Sequence, residues 1–123
     1  MKTRILYVDD EGDIREVAAM SLELDPDFEV RTAGSGADAL PLAAEWQPNL
    51  ILLDVMMPGM DGPTTLGRLQ EQPETKDIPV VFITARTQAQ EVEGFKALGV
   101  RGVIAKPFDP MSLAATARSY LEP

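Results

Sequence analysis

The stretch Leu50-Ile51-Leu52-Leu53-Asp54 constrains the fold of this chain more than any other: four consecutive aliphatic residues run straight into a carboxylate. A continuous apolar run of this length, bounded by Pro48 and by Pro58-Gly59, reads as a strand buried on both faces. A lone carboxylate inside such a strand would be costly. Asp54 is therefore expected at the strand's carboxyl end, the edge where open α/β sheets bind ligands. Ile5-Leu6-Tyr7-Val8 repeats the arrangement and ends in Asp9-Asp10. Two apolar strands that end in three carboxylates are the fact to be explained.

Between these runs the pattern changes to helical spacing. The first strand is expected near residues 4–9. Asp13 with Glu16 three residues later suggests a capping box for a helix that turns Ile14, Val17, Ala18 and Ser21 inward and stops before Asp25-Pro26. Phe28–Ala33 alternates like a half-exposed edge strand. Ser35 suits the N-cap of the next helix, with Leu40, Ala43 and Ala44 inward, Trp46 half-buried at its end, and Pro41 forcing a kink or a late start. Residues 55–62 read as a loop in which Asp61 and Gly62 serve a turn, Gly62 by taking positive φ. Pro63 opens a third helix with Leu66 and Leu69 inward. Pro79–Thr84 is a strand that ends in a hydroxyl, and the helix after it turns Val92, Phe95 and Leu98 inward, with Gly99 as its C-cap. Gly102–Ala105 is the last strand and leads into Lys106-Pro107. A final helix begins at Pro110, capped by Asp109, with Leu113, Ala117 and Leu121 inward.

Five βα units in succession predict an α/β fold, a doubly wound five-stranded parallel sheet of flavodoxin-like order 2-1-3-4-5, with helices on both faces. In that order strands 1 and 3 are neighbours, so Asp9, Asp10 and Asp54 converge. With 123 residues and no linker, residues 1–123 are expected to form one domain. The net charge of −9 argues against direct nucleic-acid binding, which draws on clustered Lys and Arg. Cysteine and histidine are both absent from the composition, which excludes disulfides, zinc-thiolate sites, thiol catalysis and His-based acid/base chemistry. No long apolar segment precedes Asp9, so a cytoplasmic protein without a signal peptide or membrane span is expected.

Three carboxylates in one cleft repel one another unless a cation sits among them, and hard divalent cations such as Mg2+ take oxygen ligands. Lys106 brings an ammonium to the same edge and Thr84 a hydroxyl. A cation, an ammonium and a hydroxyl facing one carboxylate suit a transferred phosphoryl group, whose transition state is stabilised electrostatically. Asp54 would be the nucleophile. Taken singly the features are weak, since an acid here can simply cap a helix and a Thr at a strand end is common. Their weight lies in combination.

The set Asp9-Asp10, Asp54, Thr84-Ala85 and Lys106-Pro107-Phe108, with residues 57–62 reading Met-Pro-Gly-Met-Asp-Gly, resembles the receiver domain of two-component response regulators across essentially the whole chain. The resemblance implies that Asp54 is phosphorylated by a sensor histidine kinase or phosphotransfer protein. It implies that Asp10, Asp54 and the Met56 carbonyl bind Mg2+ with Asp9 acting partly through water, that Thr84 is the switch hydroxyl, that Lys106 pairs with phosphate, and that Lys106-Pro107 is cis. Output would pass to a protein target through the fourth helix, fifth strand and fifth helix. Val103 departs from the pattern, because the family's switch aromatic usually stands at that position; Met56 and Arg86 occupy positions that the family varies to tune phosphoryl lifetime. A single basic residue, Arg118, on the last helix suggests a monomer or weak dimer, and an end just past that helix suggests a stand-alone regulator, although a receiver excised from a longer protein would read identically. The domain would be a phosphoacceptor with at most slow autodephosphorylation rather than an enzyme. An aspartate-nucleophile phosphatase would want an acid at Met56, and a nucleotide binder would not place Asp9-Asp10-Glu11 where phosphate must sit.

Overall fold

The computed structural model describes residues 2–121. Strands β1 (Thr3–Val8), β2 (Phe28–Ala33), β3 (Leu50–Asp54), β4 (Val80–Thr84) and β5 (Gly102–Ala105) alternate with helices α1 (Gly12–Leu22), α2 (Gly36–Trp46), α3 (Gly62–Glu71), α4 (Ala89–Ala97) and α5 (Leu113–Leu121). All strand pairs are parallel and their order is β2-β1-β3-β4-β5, as the alternation of apolar runs and helical spacing predicts. Residues 1, 122 and 123, which the expected 1–123 domain includes, lie outside the described residues.

The two-residue period of each strand divides the core in two. Leu6, Val8, Ile51, Leu53, Val80 and Phe82 face Ala39, Ala43, Trp46, Leu66 and Leu69. Ile5, Tyr7, Leu50, Leu52, Val81 and Ile83 face Ala18, Leu22, Leu113 and Ala117. Burying one large aliphatic or aromatic side chain contributes about 1.5–3 kcal/mol, so both faces are strongly favoured and the sheet cannot slip by one residue.

Several helix details differ from expectation, each for a local reason. α1 is preceded by Glu11 as N-cap with no side-chain cap, and Asp13 lies in its first turn. The turn is secured from upstream instead, where Asp9 Oδ1 accepts the Glu11 N–H at 2.9 Å. The buried face of α1 is Ala18, Ser21 and Leu22, while Val17 stays 45% exposed. Ser35 caps α2 as expected, accepting the Asp38 N–H at 3.0 Å. That helix begins at Gly36 and continues through Pro41, so its start is not late. Its docking face is Ala39 and Ala43, with Leu40 and Ala44 only half-buried, and Trp46 is more deeply buried than expected, beneath the Arg4 and Arg31 guanidinium groups. None of the α4 residues is fully buried: Phe95 meets the Phe82 ring edge-on at 5.3 Å, but Leu98 is half exposed. Asp109 caps a turn rather than a helix, accepting the Met111 N–H, and α5 starts three residues beyond Pro110, at Leu113.

Candidate functional site at the carboxyl edge of the sheet

Strand lengths and register decide what meets at this edge. β1 pairs with β3 through Val8 opposite Leu53, so the residues that follow each strand emerge side by side. Asp9 is fully buried just past β1, Asp10 beside it is exposed, and Asp54 closes β3 at 3% exposure. β4 ends next to β3 at buried Thr84, and β5 leads into Lys106. The five side chains predicted from the sequence thus lie at one end of adjacent strands.

Lys106 reaches across this edge. Its Nζ lies 3.0 Å from Asp9 Oδ2, 3.5 Å from Asp54 Oδ2 and 3.8 Å from Glu11 Oε1. Burial works to lower its proton affinity, but the hydrogen bond to Asp9 and the charges of Asp54 and Asp9 outweigh this and hold it above its ordinary value. It remains an ammonium. Burial pushes the Asp54 carboxyl up to about 6, helped by the Asp9 charge and opposed by Lys106 and the Met56 N–H. A carboxylate of raised proton affinity is the more nucleophilic, and near neutral pH this one is still mostly ionised. Thr84 Oγ1 accepts the Arg86 N–H at 3.0 Å, which folds the start of the β4–α4 loop back over the strand end. The Arg86 guanidinium is largely exposed and lies 3.9 Å from Glu91. The Lys106-Pro107 peptide is cis, in agreement with the expectation from the sequence.

Asp9, Asp10 and Asp54 each offer one carboxylate oxygen within 4.8 Å of the others. Hard oxygen donors of this number and charge, countered by one ammonium, fit an oxygen-seeking divalent cation such as Mg2+. The Met56 side chain is 66% exposed, and a thioether is the wrong donor for such an ion; any contribution from Met56 is through its backbone. The loop that shapes this side of the site closes where Gly62 N–H donates to Val55 O at 2.9 Å. Gly62 does not take the positive φ expected of it; Gly59 does, at 76°. Gly62 is required for close approach instead, because a Cβ there would lie 2.7 Å from the Asp54 carbonyl oxygen.

Three participants escaped the sequence reading. Tyr7 Oη donates to Asp9 Oδ2 at 3.1 Å, Glu11 approaches Lys106, and the Arg15 guanidinium donates to the Asp9 carbonyl at 2.8 Å. Tyr7 was open to detection, since it stands two residues before Asp9 and strand periodicity points both side chains the same way. Among the described residues, no helix is long and apolar enough to cross a membrane.

The model of the "Response regulator receiver domain" family matches residues 5–118. The response regulator PleD of Caulobacter vibrioides is 43% identical over 122 residues, an alignment covering 97% of this chain and 26% of PleD. The DNA-binding dual master transcriptional regulator RpaA of Synechocystis is 38% identical over 119 residues, covering 96% of this chain and 48% of RpaA. The chain thus spans between about a quarter and a half of the length of these curated relatives. Among solved structures, the chemotaxis response regulator CheY4 of Vibrio cholerae superposes with a TM-score of 0.89 at 32% identity, over 98% of this chain and 99% of that one. A response regulator from Desulfuromonas acetoxidans gives a TM-score of 0.85 at 29% identity, over 97% and 96% of the two chains.

Proposed function

The chain belongs to the response regulator receiver domain family of two-component signal transduction, and from that premise we propose that it works as a phosphorylatable switch with Asp54 as phosphoacceptor. One observation carries the reading: Asp54, nearly buried at the carboxyl edge of the sheet, has the Lys106 ammonium 3.5 Å from its Oδ2 and two further carboxylates within ion-binding distance. Residues 1–123 form one receiver module in this reading.

In the reaction, an Asp54 carboxylate oxygen attacks the phosphorus of a phosphohistidine on a sensor kinase or phosphotransfer protein. The O–P bond forms as the P–N bond breaks, and the electron pair leaves with the donor imidazole, which takes up a proton. Lys106 pairs with a phosphoryl oxygen and holds the acyl phosphate in place. The Thr84 hydroxyl turns toward the new group and donates to it, drawing in the β4–α4 loop. Asp10, Asp54 and the Met56 carbonyl, with Asp9 partly through water, would hold Mg2+, which when bound supplies neutralising charge at the phosphoryl oxygens. Phosphorylation replaces the single charge of the Asp54 carboxylate with about −2 on a phosphoryl group and brings new acceptor oxygens to the mouths of three strands, enough to reorganise the contacts that Lys106 and Thr84 make.

The signal then passes to a protein target over α4, β5 and α5. Val103 removes the usual aromatic from this route. The Tyr120 hydroxyl, which donates to Val103 O at 3.4 Å, ties α5 to the same strand and is the group through which movement of β5 reaches that face. Arg118 is engaged within the chain by Asp25 and Asp27, at 2.8 and 3.2 Å, which supports a monomer or weak dimer. The domain acts as a signalling module with at most slow self-dephosphorylation, in the cytoplasm, without contacting nucleic acid or membrane itself.

The test is intact mass after incubation with acetyl phosphate and Mg2+, with and without chelator, for wild type and Asp54→Asn. A single magnesium-dependent phosphoryl adduct, lost in the variant, is the expected result. An adduct of equal yield on Asp54→Asn would overturn the assignment of the nucleophile, and no adduct on wild type, together with no response to beryllofluoride, would overturn the switch itself.

A further inference from the structure

The Asp9 carboxylate is held from three sides. Tyr7 Oη and Lys106 Nζ both donate to Oδ2, at 3.1 and 3.0 Å, and the Glu11 N–H donates to Oδ1 at 2.9 Å. Tyr7 is fully buried, with its ring in the core beside β3 and α1 and the Phe108 ring edge-on at 6.4 Å. Its phenol therefore has a fixed direction. Nothing in a sheet core calls for a hydroxyl at this position, since Leu6 and Val8 on the same strand show that an apolar side chain suffices for burial. A buried phenol does need a partner, and among the described residues the carboxylate it reaches is the one that also anchors Lys106.

Lys106 is divided between Asp9 at 3.0 Å and Asp54 at 3.5 Å. A second donor on Asp9 Oδ2 shares that oxygen's charge and pins the carboxylate plane, so that Asp9 neither swings toward Asp10 nor draws Lys106 wholly to itself. Donors behind ion-binding carboxylates have this effect generally, and their loss typically weakens metal affinity by about 10–100-fold.

We propose that Tyr7 is a positioning residue of the phosphorylation site: its hydroxyl, with the Glu11 N–H, locks Asp9 in the orientation from which it supports a divalent cation held by Asp10 and Asp54, and leaves Lys106 free to serve Asp54. The inference rests on the reading of the acidic cluster as the Mg2+ site and adds to it a residue from inside the sheet. A phenol keeps its proton throughout the physiological range, so the Tyr7 hydroxyl is a standing donor to Asp9. Tyr7→Phe keeps the ring, its contact with Phe108 and the core volume, and deletes only the donor.

The experiment is a titration with Mn2+, as a probe for the oxygen-ligand site, followed by the loss of its free-ion EPR signal. It is made on wild type, Tyr7→Phe, Asp9→Ala, the double variant and Asp10→Ala, with urea unfolding of each run in parallel. Tyr7→Phe is expected to bind Mn2+ about tenfold more weakly. In the Asp9→Ala background, where Asp10 and Asp54 remain, the same change is expected to have no further effect. Wild-type affinity in Tyr7→Phe overturns the inference. So does a loss that persists undiminished without Asp9, because the phenol would then act through packing and the two changes would simply add. If Asp10→Ala binds as tightly as wild type, the reading of the metal site itself fails and the role of Tyr7 fails with it.

Discussion

Replacing Asp54 by Asn should stabilise the metal-free protein near neutral pH while abolishing its proposed phosphorylation. Burial and the Asp9 charge raise the Asp54 carboxyl from 3.8 to about 6 in the folded chain. Below pH 3.8 the group is protonated whether folded or not, and it costs nothing. Between that value and about 6 the unfolded chain loses its proton while the folded chain keeps it, so stability falls as pH rises. Above both values the folded protein carries the full penalty, which the gap between 3.8 and about 6 sets at a ceiling of ~3 kcal/mol. That ceiling is already net of the Lys106 ion pair; asparagine also turns an amide N–H toward the Lys106 ammonium in place of an acceptor, a loss of about 1 kcal/mol. A net gain of about 1–2 kcal/mol is therefore expected at pH 7.5 in chelator, shrinking toward zero by about pH 4.5. Urea unfolding followed by fluorescence of the buried, single Trp46 reads this directly as a shift in midpoint at unchanged slope. Added Mg2+ should narrow the difference by stabilising wild type alone, since a ligand of the folded state adds stability by mass action. A variant no more stable than wild type at pH 7.5, or a gain that does not change with pH, would refute the electrostatic argument.

Lys106→Met removes the charge and hydrogen bond that oppose the rise at Asp54, so its carboxyl should titrate above about 6, which a carbon-13 carboxyl titration by NMR would detect; an unchanged midpoint would contradict the geometry. Gly62→Ala places a methyl 2.7 Å from the Asp54 carbonyl oxygen and 2.8 Å from the Val55 Cα, where neither backbone atom can yield cheaply. A loss of about 1–3 kcal/mol in urea unfolding is expected, together with slower phosphorylation from acetyl phosphate. Ser35→Ala deletes the acceptor for the Asp38 N–H and should cost about 1 kcal/mol by thermal or urea unfolding.

Much of this molecule is legible in its residues, for reasons that can be stated element by element. Strands buried on both faces must be written as continuous apolar runs, so β1, β3 and β4 announce themselves; β5 is marked by its position between Gly102 and Lys106. Helix α2 is visible through Ser35, and α3 through Pro63. The helix faces were harder to read. Val17 and Ala18 are adjacent on a helix that presents only one stripe, and the packing partners, not hydropathy, select Ala18 with Leu22. α4 has a readable apolar pattern in Val92, Phe95 and Leu98, yet it lies shallow on the sheet and leaves Leu98 in solvent.

The sequence by itself determined the order of the elements, the parallel sheet and the meeting of Asp9, Asp10 and Asp54, because a short βαβ connection has few ways to return and a buried strand can end in a charge only at its edge. Tertiary structure alone decided how those charges are shared. The Lys106–Asp9 bond joins residues 97 positions apart, the Tyr7 phenol is a core side chain until its hydroxyl is seen on Asp9, and the single basic residue of α5 is taken up by Asp25 and Asp27. Hydrogen bonds and ion pairs are settled by distances of a few ångströms and by exclusion of water, and those are properties of the packed chain rather than of its order of residues.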